Sequence, residues 1–107
     1  MKITFICASL EPGRDGVGDY VRRLACEIIK QGHKAEAVAL NDPYVALIKK
    51  DIQWLHKIGL PVFRIAASLN SADRYYYLHK RLETFDPDMV SLQYVGFGFN
   101  KIGRAHV

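Results

Sequence analysis

Glycines and aspartates are concentrated between residues 13 and 19, where the sequence is Gly-Arg-Asp-Gly-Val-Gly-Asp. An apolar run of strand length precedes this segment, and a helical pattern follows it. Gly16 and Gly18 would let a ligand approach the backbone closely, and the first turn of a helix offers unpaired N–H groups at the positive end of its dipole. The pattern therefore indicates an anion-binding loop at a helix start. A plain strand–helix connection, with glycines used for turning, is the alternative.

The spacing differs from the common phosphate-binding motifs. The Gly-Lys-Ser/Thr of a Walker A loop is absent. A dinucleotide fingerprint needs G-x-G-x-x-G directly after the strand, whereas here Gly13, Gly16 and Gly18 follow a Ser-Leu-Glu-Pro insertion. Asp42 stands where a ribose-binding acid could follow the second strand, but Pro43 behind it favours a helix N-cap. A nicotinamide enzyme is therefore not favoured.

Apolar patterns along the chain predict the elements that position this loop. Continuous apolar runs predict strands over about 2–8, 34–40, 60–65 and 89–94. Repeats of three and four residues predict helices over about 17–30, 43–58 and 71–85. Gly32 and Gly59 would end the first two helices, and Ser71 would cap the third. Alternating strands and helices imply an α/β fold, with a Rossmann-like open parallel sheet and flanking helices.

Size and composition exclude several classes of protein. The 107 residues suit one domain, and the net charge of +4 comes from scattered residues without the aromatic interleaving of a nucleic-acid platform. Cys7 and Cys26 form no CxxC pair, so we expect reduced thiols and a cytoplasmic location. No residues have metal-ligand spacing. Nothing in the sequence signals secretion or membrane spanning, while peripheral contact with a membrane surface stays open.

The end of the sequence has a different character. No helix-like segment follows the last predicted strand, so the sheet lacks an expected covering element. Residues 102–107, Ile-Gly-Arg-Ala-His-Val, resemble one reading frame of a common sequencing adapter. We therefore expect residues 1–101 to be a partial domain, residues 102–107 to be a non-native tail, and the natural chain to continue beyond Asn100.

Three segments in order resemble a known family. The strand Lys2–Ile6, the loop and helix Gly16–Ala25, and the helix end Gln31–His33 resemble the N-terminal domain of GT-B glycosyltransferases of the family 4 type. That family opens with a strand, a GGVG-like loop, a helix ending in RGH and a second strand. The segment Pro87–Tyr94 is similar to its later PD-V-V-H-x-H strand. The resemblance covers residues 1 to about 100.

The resemblance implies the acceptor-side half of a two-domain, retaining transferase. Its substrates would be a nucleotide-sugar donor and a sugar, lipid or other acceptor, with no further cofactor and no metal. The donor domain, absent from this sequence, would be the main partner, and this chain alone would be inactive. The donor diphosphate would meet the loop of Gly16, Val17 and Gly18. The acceptor side of the active-site cleft would hold Asp15, Asp19, Gln93 and Tyr94.

Two residues depart from the family pattern. Asp15 replaces the first glycine of the pair, and its carboxylate would repel a diphosphate unless it points away or meets an acceptor hydroxyl. Gln93 replaces a histidine, and an amide cannot exchange a proton near neutral pH, although it can hydrogen-bond a sugar hydroxyl. The resemblance therefore assigns no catalytic residue. A non-catalytic Rossmann-like nucleotide- or protein-binding module and an NAD-dependent sugar-nucleotide enzyme are the alternatives.

Overall fold

The computed structural model describes residues 1–93, so the predictions for Tyr94, for the aromatic segment after it and for residues 102–107 lie outside the described residues. Within this range the elements, in chain order, are β1 (Lys2–Cys7), α1 (Gly16–Lys30), β2 (Lys34–Asp42), β3 (Ile48–Leu55), β4 (Ile58–Ala66), α2 (Ser71–Phe85) and β5 (Met89–Leu92).

These strands form one sheet in the order β3-β4-β2-β1-β5. The pairs β1–β2, β1–β5 and β2–β4 are parallel, and only the pair β3–β4 is antiparallel. The α/β prediction is confirmed, and the mostly parallel sheet is consistent with a Rossmann-like fold. The predicted parallel sheet is found in β1, β2, β4 and β5, and β3 makes the whole sheet mixed because it joins the edge antiparallel to β4.

The two helices pack on opposite faces of the sheet and define its two cores. On one face α1 packs against a cluster that includes Phe5, Ala37 and Leu60. On the other face α2 packs through Leu78 against a cluster that includes Ile6 and Phe63. Alternate residues of each buried strand thus serve opposite cores, which explains the continuous apolar runs in the sequence.

The predicted helix over 43–58 is wrong, because the chain forms the hairpin β3–β4 there. The apolar residues Ile48 and Ile52 are four apart, which satisfies a helical repeat but also places them on one face of a strand. The two-residue turn of His56 and Lys57 has φ values of 49° and 69°. Two such left-handed residues are typical of a type I′ hairpin turn, a turn usually made by Asn and Gly. Its unusual composition concealed the hairpin.

Residues predicted to begin or end helices have mixed outcomes. Gly32 follows α1 with a φ of 98°, as expected of a glycine beyond a helix end. Asn70 rather than Ser71 caps α2, and its side chain accepts a hydrogen bond from the Asp73 amide. Gly59 ends no helix. A Cβ there would lie 2.9 Å from the Trp54 ring, so this glycine makes room for the cross-strand indole.

Candidate functional site

The predicted site lies where the order of the strands changes direction. The chain passes from β1 through α1 to β2 on one side, and it returns through α2 to β5 on the other side of β1. In open α/β sheets, ligands bind beyond the carboxyl ends of the strands at such a switch point. The Gln93 backbone amide donates to the Ile6 carbonyl at 2.8 Å, which places Gln93 beside the end of β1. The loop that leads to α1 starts from this same end of β1.

The Asp15 carboxylate caps α1. Its Oδ1 accepts hydrogen bonds from the amides of Val17, at 2.9 Å, and Gly18, at 3.1 Å. An aspartate at this position also complements the positive end of the helix dipole. The two amides predicted to meet a diphosphate therefore already have an anionic acceptor within the chain. A phosphate could bind them only by replacing this carboxylate.

The two glycines predicted to lie in the loop, Gly16 and Gly18, belong to the first turn of α1 and have different surroundings. A Cβ added to Gly18 would overlap the Ser9 carbonyl oxygen, so glycine allows α1 to pack this closely on the segment after β1. A Cβ added to Gly16 would have no neighbour within 4 Å. Gly16 is also exposed, which leaves its backbone approachable from solvent. Gly18 is therefore a packing residue, and Gly16 is the accessible one.

The Asp19 side chain binds the loop that precedes α1. Its Oδ1 accepts from the Gly13 amide at 3.1 Å and from Arg22 Nη1 at 2.7 Å. The hydrogen bond from Arg22 and that from the Gly13 amide lower the pKa of Asp19 below its ordinary value. Asp19 is therefore held as a carboxylate, and it ties the glycine-bearing loop to the first turns of α1.

A buried polar network, which the sequence pattern did not predict, holds the segment after β1. The Leu10 carbonyl accepts from Arg22 Nη2 at 2.8 Å and from Gln53 Nε2 at 2.9 Å. Arg22 Nε also donates to Gln53 Oε1 at 2.6 Å. The Arg22 side chain is therefore buried, with Gln53 of β3 as a partner, although Arg22 is a charged residue on an amphipathic helix.

The Leu10 amide connects this network to a second buried group. It donates to Asp42 Oδ2 at 3.1 Å, and Asp42 Oδ1 accepts from the Tyr44 amide at 2.9 Å. Arg64 Nε donates to Asp42 Oδ2 at 2.8 Å, while Arg64 Nη2 reaches Glu11 at 2.6 Å. Asp42 is fully buried and begins no helix, so the predicted N-cap role is wrong. It serves instead as an internal anchor for the loop.

Two further side chains near the switch point have limited chemistry. Burial, and then the nearby charges of Asp15 and Asp42, raise the pKa of Cys7 to about 12, so it remains a thiol near neutral pH. The Gln93 side-chain amide donates to Ser91 Oγ at 2.8 Å.

Among residues 1–93, no group of His, Cys, Asp and Glu side chains is arranged to hold a metal ion.

Comparisons with known proteins add no relative. No known protein family matches the chain, and neither a curated protein nor a solved structure is significantly similar to it. None of the helices in the described part of the chain is long and apolar enough to cross a membrane.

Proposed function

We propose that this chain is the acceptor-side part of a GT-B glycosyltransferase, a retaining enzyme of the cytoplasm that uses a nucleotide-sugar donor. The observation that carries the proposal is the position of the Gly16–Gly18 segment. It begins α1 beside the switch point of the sheet, and the end of β5 with Gln93 lies on the other side of β1. The order of the sequence motifs supports the same conclusion, and two free cysteines suit a reducing compartment.

In this proposal the first turn of α1 supports the departing nucleoside diphosphate. Backbone amides fixed at a helix start stabilise developing negative charge without reorganising during the reaction. Gly16 presents the accessible backbone. The amides of Val17 and Gly18 become available when the Asp15 carboxylate swings away from them. Gln93 hydrogen-bonds a sugar hydroxyl and transfers no proton.

Nucleoside diphosphates test the loop directly. Backbone amide NMR signals would be followed while UDP or GDP is added to the chain and to an Asp15→Gly variant. We expect the Gly16, Val17 and Gly18 signals to shift, and to shift at lower ligand concentration in the variant, because the competing carboxylate is gone. Asn70→Gly is the matched control, since it removes the cap of α2 and leaves α1 intact. Unchanged α1 signals in both proteins would contradict the donor-loop assignment.

Activity requires a separate experiment. We expect the 107-residue chain alone to release no nucleoside diphosphate from nucleotide sugars, and turnover by this chain would overturn that expectation. The genomic DNA downstream of codon 100 would distinguish a transferase from an NAD-dependent enzyme. A second Rossmann-like domain with a paired-glutamate donor motif would support the transferase. A Tyr-x-x-x-Lys motif would favour the NAD-dependent class.

A non-catalytic Rossmann-like module is the second candidate. The Asp15 cap favours it, because two of the amides that a phosphate would use are already satisfied within the chain. Such a module would give no shift at α1 with UDP or GDP, even in the Asp15→Gly variant. The same titration therefore separates the two candidates.

A further inference from the structure

One face of the edge strand β3 carries exposed apolar side chains. This face presents every second residue of the strand, namely Ile48, Lys50, Ile52 and Trp54. Ile48 pairs in register with Ile65 and Lys50 with Phe63, and both partners belong to the α2-side core. Ile52 is 49% exposed and Trp54 is 66% exposed. The α2 side of β3 is thus an amphipathic surface that no described helix covers at Ile52 and Trp54.

A groove continues this surface toward α2. It has a volume of about 380 Å³, and it runs between β3 and β4 on one side and the flank of α2 on the other. Tyr76 and Tyr77 form part of its helical wall, and both are exposed. Lys50 and Lys80 extend over aromatic rings at its edges, with Lys50 Nζ 6.0 Å from the Phe63 ring centre and Lys80 Nζ 5.9 Å from the Tyr76 ring centre.

The charge of this groove is positive. None of the described residues that line it is acidic. Arg81 is neutralised by the buried Glu36, whereas Lys50 and Lys80 form no salt bridge within residues 1–93. Asp51 belongs to the opposite face of β3, and Asp73 lies one helical turn beyond the lining residues of α2.

From this combination we propose that the β3–α2 surface docks on an anionic membrane surface. Tryptophan and tyrosine favour the membrane–water interface because their rings are apolar while their polar atoms stay hydrated. Lysines beside them are attracted to anionic headgroups. A nucleic acid fits less well, since two unpaired lysines neutralise few phosphates. This surface is on the α2 side of the sheet, and the proposal does not depend on the proposed function.

Trp54 provides the signal for the test, because it is the only tryptophan of the chain. The full chain would be mixed with vesicles of phosphatidylcholine alone or of phosphatidylcholine with phosphatidylglycerol. We expect Trp54 emission to shift to the blue, and brominated lipids to quench it, only with the anionic vesicles. Replacement of Lys50 or Lys80 by Gln should each weaken binding about fivefold, since each basic side chain near an anionic surface contributes such a factor.

Lys49→Gln is the matched control, because Lys49 is adjacent to Lys50 on β3 and lies on the face of the strand opposite to the β3–α2 surface. It should bind vesicles like the unaltered chain. Circular dichroism would verify that the three variants fold alike. Equal binding to neutral vesicles, equal weakening by Lys49→Gln, or an absence of binding would each overturn the proposal. Binding to single-stranded RNA or to an acidic peptide, without binding to vesicles, would overturn it in favour of that partner.

Discussion

Arg64 and Asp42 form a buried ion pair that joins two adjacent parallel strands. Arg64 Nε lies 2.8 Å from Asp42 Oδ2, and the two side chains are 4% and 0% exposed. The same carboxylate oxygen accepts from the Leu10 amide, so the pair also fixes the segment that follows β1. A charge buried this deeply is tolerated only when it is paired and hydrogen-bonded.

Replacing Arg64 with Met should therefore destabilise the protein strongly. Asp42 would keep its buried carboxylate and lose its cation, which lowers the free energy of unfolding by about 3–5 kcal/mol. Urea unfolding would measure the change. Lys49→Met is the control, because Lys49 is opposite Arg64 in the β3–β4 ladder and is exposed, so it should alter stability by less than about 0.5 kcal/mol. Similar urea midpoints for the two variants would contradict the role of the pair.

Asp42 should also make stability depend on acidic pH. Burial alone would raise its pKa, but the hydrogen bonds from Arg64 and from the Tyr44 and Leu10 amides outweigh burial and lower the pKa below its ordinary 3.8. The unfolded chain then binds this proton more tightly than the folded one. The contribution of Asp42 to the free energy of unfolding is therefore present above pH 3.8, and it is lost as the pH falls through the pKa of Asp42 in the folded protein. Urea midpoints across this acidic range should fall more steeply for the unaltered chain than for Asp42→Asn. Parallel curves would refute this assignment.

Gly18→Ala should reverse the usual effect of alanine in a helix. Alanine normally stabilises a helix by about 1 kcal/mol over glycine. Here the added methyl group would meet the Ser9 carbonyl oxygen, and we expect a net loss of about 1–3 kcal/mol. Gly16→Ala, where space is open, is the control and should not destabilise in this way. Thermal unfolding of both variants decides the point. A Gly18→Ala protein as stable as the control would disprove the close packing.

The hairpin turn should be improvable. His56 and Lys57 both have positive φ, which costs residues with a Cβ about 1–2 kcal/mol each. The double substitution His56→Asn and Lys57→Gly supplies the preferred type I′ pair, and it should raise the free energy of unfolding by about 1 kcal/mol. Urea unfolding would detect the gain. The control substitutions Pro43→Asn and Tyr44→Gly lie outside the hairpin turn and should not raise the free energy of unfolding.

The parts of the fold that could be predicted from sequence have a clear repeat and a clear boundary. The apolar stripe of α1 and its glycine end led to the correct helix, and the helix predicted over 71–85 coincides with α2. The hairpin could not be predicted in the same way, because Ile48 and Ile52, four residues apart, satisfy both a helical and a strand repeat. A turn of His and Lys also carries no hairpin signal.

The candidate site was predictable only in its position along the chain. The glycines correctly marked the start of α1, but which amides Asp15 would satisfy depends on local geometry. One signal for the buried network was present in the sequence, since Arg64 interrupts an apolar strand run and such a charge needs a buried partner. Its partners, Glu11 and Asp42, lie 53 and 22 residues away: the pairing of β2 with β4 brings Asp42 to Arg64, and Glu11 reaches Arg64 from the segment after β1.

The fastening of Leu10 has a consequence for any ligand at the switch point. Its carbonyl is held by α1 and by β3, and its amide by the end of β2. The Leu10 backbone thus gives up its conformational entropy when the protein folds, and no ordering of Leu10 remains to oppose association. Affinity at this crevice would then depend on how well a ligand fits the fixed Leu10 backbone, and changes of shape on binding would fall to side chains outside it, such as that of Asp15.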